Sequence, residues 1–163
     1  PMPLTPDPVA ADLPDILAHN RVVQQQTSVL DMARLQWLVG MSNYCRVAVV
    51  EGAVAGFLIA LREGKPYDSD NYRWFVERMG RFLYVDRIVV AAGHAGLGIG
   101  SQLYRDMFAF ARAQGVDTVA CEYNIEPPNP ASRAFHDRFG FNEVGTQWLD
   151  GGRKQVSLQT AKI

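Results

Sequence analysis

Val90-Ala91-Ala92-Gly93-His94-Ala95-Gly96-Leu97-Gly98-Ile99-Gly100 is the stretch on which the reading of this chain turns. Four of the fourteen glycines fall here, and Gly96, Gly98 and Gly100 alternate. Upstream, Arg81 to Ala91 reads as a buried strand. Downstream, Ser101 to Gln114 reads as a helix with Leu103, Met107, Phe108, Phe110 and Ala111 on its apolar side. A strand, a glycine loop and a helix N-terminus in succession make an anion site. Backbone N–H groups and the positive end of the helix dipole converge on one spot. Glycine lets the backbone turn sharply and approach a phosphate closely. The competing reading is a tight strand-to-helix turn that holds nothing.

Spacing excludes the common phosphate and nucleophile motifs. A dinucleotide fingerprint counted from Gly96 and Gly98 puts Ser101 where the last glycine belongs. A triphosphate loop needs Gly-Lys-Ser/Thr, and the loop has no lysine. The serine-hydrolase elbow fails too, because Ser101 is followed by Gln102 and Leu103 rather than by a glycine two residues on.

The rest of the chain is a plain setting for this loop. Its 163 residues are 48% hydrophobic and 20% charged, which fits one soluble domain over residues 1–163. Sixteen basic and seventeen acidic side chains leave a net charge of −1, which argues against nucleic acid as a partner. Apolar runs such as Val54 to Leu61 are too short to span a bilayer, so no membrane is expected. The opening residues have neither a basic start nor an apolar signal core. Cys45 and Cys121 lack CxxC spacing, so neither a disulfide framework nor a metal site is indicated, and a cytoplasmic setting is expected.

Helices are expected from Asp12-Leu13-Pro14-Asp15, with Asp12 as cap, and from about Leu30 to Val39, ending at Gly40. Cys45 to Val50 and Val54 to Leu61 form a hairpin around Glu51-Gly52. A short helix is read at Tyr72 to Met79, a strand at Val116 to Glu122, and a helix at Ala131 to Phe139. Strands Phe141 to Leu149 and Gln155 to Thr160 close the chain. The order is that of a mixed α/β fold.

The glycine stretch resembles the acyl-CoA signature of the GNAT superfamily of N-acetyltransferases, Arg/Gln-x-x-Gly-x-Gly/Ala after a strand. Gly98 and Gly100 take the two small positions, and Ala95 stands where Arg or Gln is usual. A second, independent stretch runs from Asn129 through Ser132, Phe135 and His136 to Gly140-Phe141. It is similar to the family's later motif, Asn-x-x-Ala/Ser-x-x-Leu/Phe-Tyr-x-x-x-Gly-Phe, with His136 at the usual tyrosine. The resemblance implies a central mixed, mostly antiparallel sheet flanked by helices. Its two central strands, here Arg81–Ala91 and Val116–Glu122, would splay to admit the pantetheine arm.

It also implies a cosubstrate, acetyl-CoA, and direct transfer of the acetyl group to a primary amine in a ternary complex. Gly96, Leu97, Gly98, Ile99, Gly100 and Ser101 would hold the diphosphate through backbone atoms. Ile88, Val89 and Val90 would face the thioester carbonyl. Asn129 and Ser132 would touch the pantetheine or diphosphate region, and Arg133 the nucleotide phosphate, unless it is simply solvated. An alkylammonium has a pKa near ~10, so the site needs a base. Asp86, on one strand face with Tyr84 and Ile88, is the first candidate, with an ion pair to Arg87 as its alternative. Glu122 is the competing base. His136 is the candidate acid for the departing thiolate, or a residue that packs on its helix and bonds locally.

Tyr72, Trp74, Phe75 and Tyr84 are the candidate acceptor wall, where aromatic rings beside Asp68 and Asp70 would suit a cationic amine. The acceptor is expected to be a small-molecule or peptide amine, and a homodimer is the assembly that the resemblance implies. The alternative function is a non-catalytic acyl-CoA-binding or sensing module, suggested by Ala95 and His136.

Overall fold

The structure is a computed structural model, and it describes residues 5–24, 27–94 and 96–163. Its elements are α1 (Leu13–Val22), α2 (Met32–Met41), β1 (Tyr44–Val50), β2 (Ala53–Arg62), α3 (Asp70–Val76), β3 (Leu83–Val90), α4 (Ile99–Ala113), β4 (Thr118–Glu126), α5 (Pro130–Arg138), β5 (Asn142–Leu149) and β6 (Lys154–Lys162). The strands form one mixed sheet in the order β1-β2-β3-β4-β6-β5. The β1/β2, β4/β6 and β5/β6 ladders are antiparallel. β3 and β4 run parallel, in register at Leu83↔Val119 and Tyr84↔Ala120. The mixed, mostly antiparallel sheet with flanking helices is the expected fold class.

Contacts divide the chain into two compact units, each drawn from both halves of the sequence. One comprises Pro1–Leu61 and Val85–Phe110, the other Arg62–Tyr84 and Ala111–Ile163. In the first, Ile16 and Leu35 from the helices, Val47, Phe57 and Ile59 from the hairpin, and Leu103 and Met107 from α4 are fully buried. The hairpin turns on Glu51 and Gly52, both at positive φ (51° and 79°), the conformation that a two-residue loop demands. Gly56 matters for a different reason. A Cβ there would lie 2.8 Å from the Val89 carbonyl oxygen and 3.2 Å from Ile99 Cγ2. Only a residue without a side chain lets β2 lie this close to β3 and to the start of α4.

In the second unit Phe75, Phe82, Leu83, Tyr84, Val119 and Leu158 form the core. Tyr72 and Phe75 of α3 stack edgewise or tilted on Phe82 and Tyr84, with ring centroids 5.5–6.2 Å apart.

Several boundaries differ from the sequence expectation, each through a specific hydrogen bond or burial. Asp12 stands at the N-cap of α1 but makes no side-chain cap bond, because its carboxylate accepts from the Val9 N–H (2.8 Å) in the preceding 3-10 turn. Asp31 caps α2 instead, accepting from the Arg34 N–H at 2.7 Å. That helix runs through Gly40 and stops where the Ser42 hydroxyl donates to the Val39 carbonyl (2.8 Å). α4 begins earlier, at Ile99, whose side chain is buried. β4 extends to Glu126 because the buried Tyr123 and Asn124 continue its ladder with β6.

Candidate active site

In the first unit, β3 delivers the chain into the glycine loop. Gly96 and Gly98 take φ values of 84° and 75°, the left-handed region that favours glycine. Among the described residues, a Cβ built on either would meet no atom within 4 Å. The buried Ile99 anchors the helix start, and the Gln102 N–H donates to the Gly98 carbonyl (3.0 Å) to close the first turn. The N–H groups of Ile99, Gly100 and Ser101 therefore stand at the positive end of a fifteen-residue helix. Leu97 is exposed beside them. These residues fit a bound diphosphate. Ala95, the expected departure from the family signature, lies outside the described residues.

Val89 is buried on β3, and the Ala91 N–H donates to the Ala55 carbonyl (2.8 Å), which fixes this end of the strand against β2. Ile88 and Val90 are partly exposed.

Asp86 has a different setting from that of an open base. Its carboxylate accepts from Arg87 Nε at 2.5 Å, and both side chains are almost wholly buried. The guanidinium goes on to Asn20 Oδ1 (3.1 Å), the Ser28 carbonyl (3.0 Å) and Ser28 Oγ (2.7 Å). Asp86 is thus the counter-ion of a buried cation that ties β3 to α1 and to the segment after it. This is the ion pair that stood as the alternative to a catalytic role.

Glu122 is built otherwise, within the second unit. Its Oε1 accepts from the Tyr84 hydroxyl (2.6 Å) and from Asn71 Nδ2 (2.8 Å). Asn71 Oδ1 in turn accepts from Gln147 Nε2 (3.0 Å). These side chains come from β3, β4, α3 and β5. Tyr84, expected as acceptor wall, is a donor to the carboxylate. Asn71 and Gln147 escaped the sequence reading. The available signal was Asn71 itself, a polar residue four before the buried Phe75 and so on the inward face of α3. Gln147, on an edge strand, offered none.

α5 starts from Asn129, whose side chain accepts from the Ser132 N–H (3.3 Å), so this expected cofactor residue also serves as helix cap. His136 is buried against Tyr123, Phe135 and Phe141, with ring centroids 5.2–5.7 Å away. Its Nδ1 lies 2.7 Å from the Ser132 carbonyl, which can only accept, so Nδ1 carries the proton; Ser132 Oγ is 3.2 Å from the same nitrogen. Burial pushes the imidazole pKa below its ordinary value, partly opposed by that bond, so the ring is neutral near pH 7. Arg133 is exposed, 4.0 Å from Asp137.

The remaining acceptor-wall residues separate. Tyr72 and Phe75 belong to the core, and the Tyr72 hydroxyl donates to the Arg62 carbonyl (2.6 Å). Neither offers surface to an acceptor. Trp74 lies over the backbone of Gly145, where a Cβ would meet its ring at 2.5 Å, and Arg78 stacks on the ring at 4.1 Å. A surface groove is lined there by Asp70, Arg73, Trp74, Glu77, Arg78 and Gln147. Among the described residues no His, Cys, Asp and Glu cluster is placed to hold a metal ion. No helix is long and apolar enough to cross a membrane.

Comparison with known proteins agrees with this geometry. A phosphinothricin N-acetyltransferase of Streptomyces viridochromogenes is 33% identical over 121 residues, covering 71% of this chain and 54% of that protein. The phosphinothricin N-acetyltransferases that the chain matches are spanned over only 37% to 54% of their own length. An L-methionine sulfoximine/L-methionine sulfone acetyltransferase of Pseudomonas paraeruginosa is 28% identical over 175 residues, covering 96% of this chain and 95% of its own. Among solved structures, Ard1 from Thermoplasma volcanium shares the fold with a TM-score of 0.82 at 14% identity, over 100% of this chain and 99% of its own. The model of the acetyltransferase (GNAT) family matches residues 11–141, and the chain belongs to that family.

Proposed function

We propose that this protein is an acetyl-CoA-dependent N-acetyltransferase that acylates the primary amine of a small, amino-acid-like molecule by direct transfer. The observation that carries the reading is Glu122. It is a strand carboxylate whose Oε1 is held by two neutral donors, Tyr84 and Asn71, and so oriented. An ammonium acceptor must lose a proton before it can attack, and a fixed carboxylate is suited to take it, directly or through water. The amino-acid character of the acceptor is supported by the substrates for which the Pseudomonas relative is named.

The backbone of Gly96 to Ser101 would hold the diphosphate of acetyl-CoA, which supplies the activated thioester when bound. Asn129 and Ser132 would orient the pantetheine side from the start of α5, and Ile88 to Val90 would meet the thioester with backbone groups. Asp86 is assigned to the buried ion pair. The neutral, packed ring of His136 is assigned to holding α5 rather than to donating a proton. Trp74 keeps a part in acceptor binding through its groove.

The test combines acetyl-CoA titration with a panel of L-amino-acid-type amines that includes L-methionine sulfone. Released thiol and the N-acetylated product are both measured. Amine-dependent thiol release with a matching product mass is expected. Saturable acetyl-CoA binding without turnover on any amine would leave a binding or sensing module. No binding at millimolar coenzyme would remove both readings.

A further inference from the structure

The hydrogen bonds around Glu122 have a direction, and that direction is set from outside. A carboxamide has a donating end and an accepting end, and Asn71 must choose which one faces the carboxylate. Gln147 Nε2 donates to Asn71 Oδ1 at 3.0 Å, and this leaves Nδ2 to donate to Glu122 Oε1 at 2.8 Å. We propose that Gln147 and Asn71 form a positioning relay in which Gln147, on the edge strand β5, fixes the polarity of the Asn71 amide and thereby the basicity of Glu122. The inference rests on the reading of Glu122 as the base for its catalytic meaning, though the relay itself is measurable without turnover.

The setting makes the relay legible. Asn71 is buried in the first turn of α3, behind the Ser69 cap, whose hydroxyl accepts from the Tyr72 N–H (3.2 Å). Glu122 is approached by the Tyr84 phenol from β3 and the Asn71 amide from α3, while its register partner on β6 is Leu158. The charged neighbours of Asn71 on α3, Asp70 and Arg73, pair with one another at the surface (3.2 Å). Asp70, Arg73, Glu77 and Arg78 share the groove with Gln147 on its outer side. Donors to a carboxylate favour its charged form. Turning the Asn71 amide over would replace a donor with an oxygen that repels it.

Gln147→Glu makes that turn without touching Glu122. A glutamate of the same shape cannot donate to Oδ1 and accepts from Nδ2 instead, so Asn71 presents its oxygen to the carboxylate. Carbon-13 titration of the Glu122 carboxylate in the unliganded protein is expected to show its midpoint raised by about one pH unit. The acid limb of kcat/KM should move by the same amount. Gln147→Leu, which removes the lock without reversing it, should give a shift in the same direction of under about half a unit.

In an Asn71→Leu background, Gln147→Glu should add nothing. A shift that persists there would mean the new charge acts through space, and would overturn the relay. An unmoved titration midpoint in Gln147→Glu would overturn it as well. Both Gln147 variants sit on a partly exposed strand position, so the test survives even if Asn71→Leu does not fold. The two readings fail separately. A shifted titration with an unshifted rate profile removes Glu122 as the base and keeps the relay.

Discussion

Asp86 and Glu122 are both strand carboxylates that the sequence offers as bases, and the structure treats them in opposite ways. Asp86 faces a guanidinium at 2.5 Å inside the first unit, and that guanidinium is itself bonded to Asn20 and Ser28. Glu122 is met in the second unit by a phenol and an amide, two neutral donors that orient its Oε1. A carboxylate paired with a buried cation is committed to holding the fold. Neutral donors orient a carboxylate and favour its charged form. Under the proposed function, these partners rather than strand position distinguish the two acids.

The comparison breaks most sharply under Glu122→Gln, which keeps the shape and removes the base. Turnover should fall by roughly 10²–10⁴-fold while the melting temperature and acetyl-CoA affinity stay close to those of the parent. Asp86→Ala should do the reverse. It leaves Arg87 buried without its counter-ion, and denaturant unfolding should show a loss of about 3–5 kcal/mol. If Asp86→Ala melts normally yet loses turnover, the two assignments are exchanged.

Gly56→Ala tests the backbone of β3 rather than its side chains. The added methyl would lie 2.8 Å from the Val89 carbonyl oxygen, an overpacking worth about 1–3 kcal/mol. The KM for acetyl-CoA should rise with it, because Ile99 at the start of α4 is the next contact. The smallest effect concerns His136. Its folded pKa lies below the unfolded value near ~6.5, so the unfolded chain binds the proton first as the pH falls. The contribution of the buried neutral ring is full above that value and is lost as the pH drops through the folded pKa. Melting curves between pH 7 and pH 5 should show this slope in the parent and a weaker one in His136→Phe.

How much of this was legible depends on how local the cause is. The strand-loop-helix around Gly96 and Gly98 is written in neighbouring residues, and it was found. So was the hairpin, because Glu51-Gly52 specifies its own turn. The competition between Asp86 and Glu122 could be posed but not decided. The partners that bear on it are Asn20, Ser28, Asn71 and Gln147, which lie tens of residues away along the chain. The aromatic cluster was misplaced for a related reason. Tyr72, Trp74 and Phe75 look alike in composition, yet helical geometry turns Tyr72 and Phe75 into the core and lays Trp74 over Gly145. Asp12 was read as a cap because of its type, while its carboxylate found the Val9 N–H first.

The two cysteines have a practical consequence at the bench. Cys45 and Cys121 are both buried, and burial pushes the Cys45 thiol up to about 12, so at assay pH it stays protonated. A disulfide reagent that reacts with thiolates will therefore see the sulfhydryl of released coenzyme against a quiet protein background. When the chain unfolds, the same reagent gains two new targets. One colorimetric readout then reports catalysis in the native molecule and, through its protein-dependent burst, the moment at which the fold is lost.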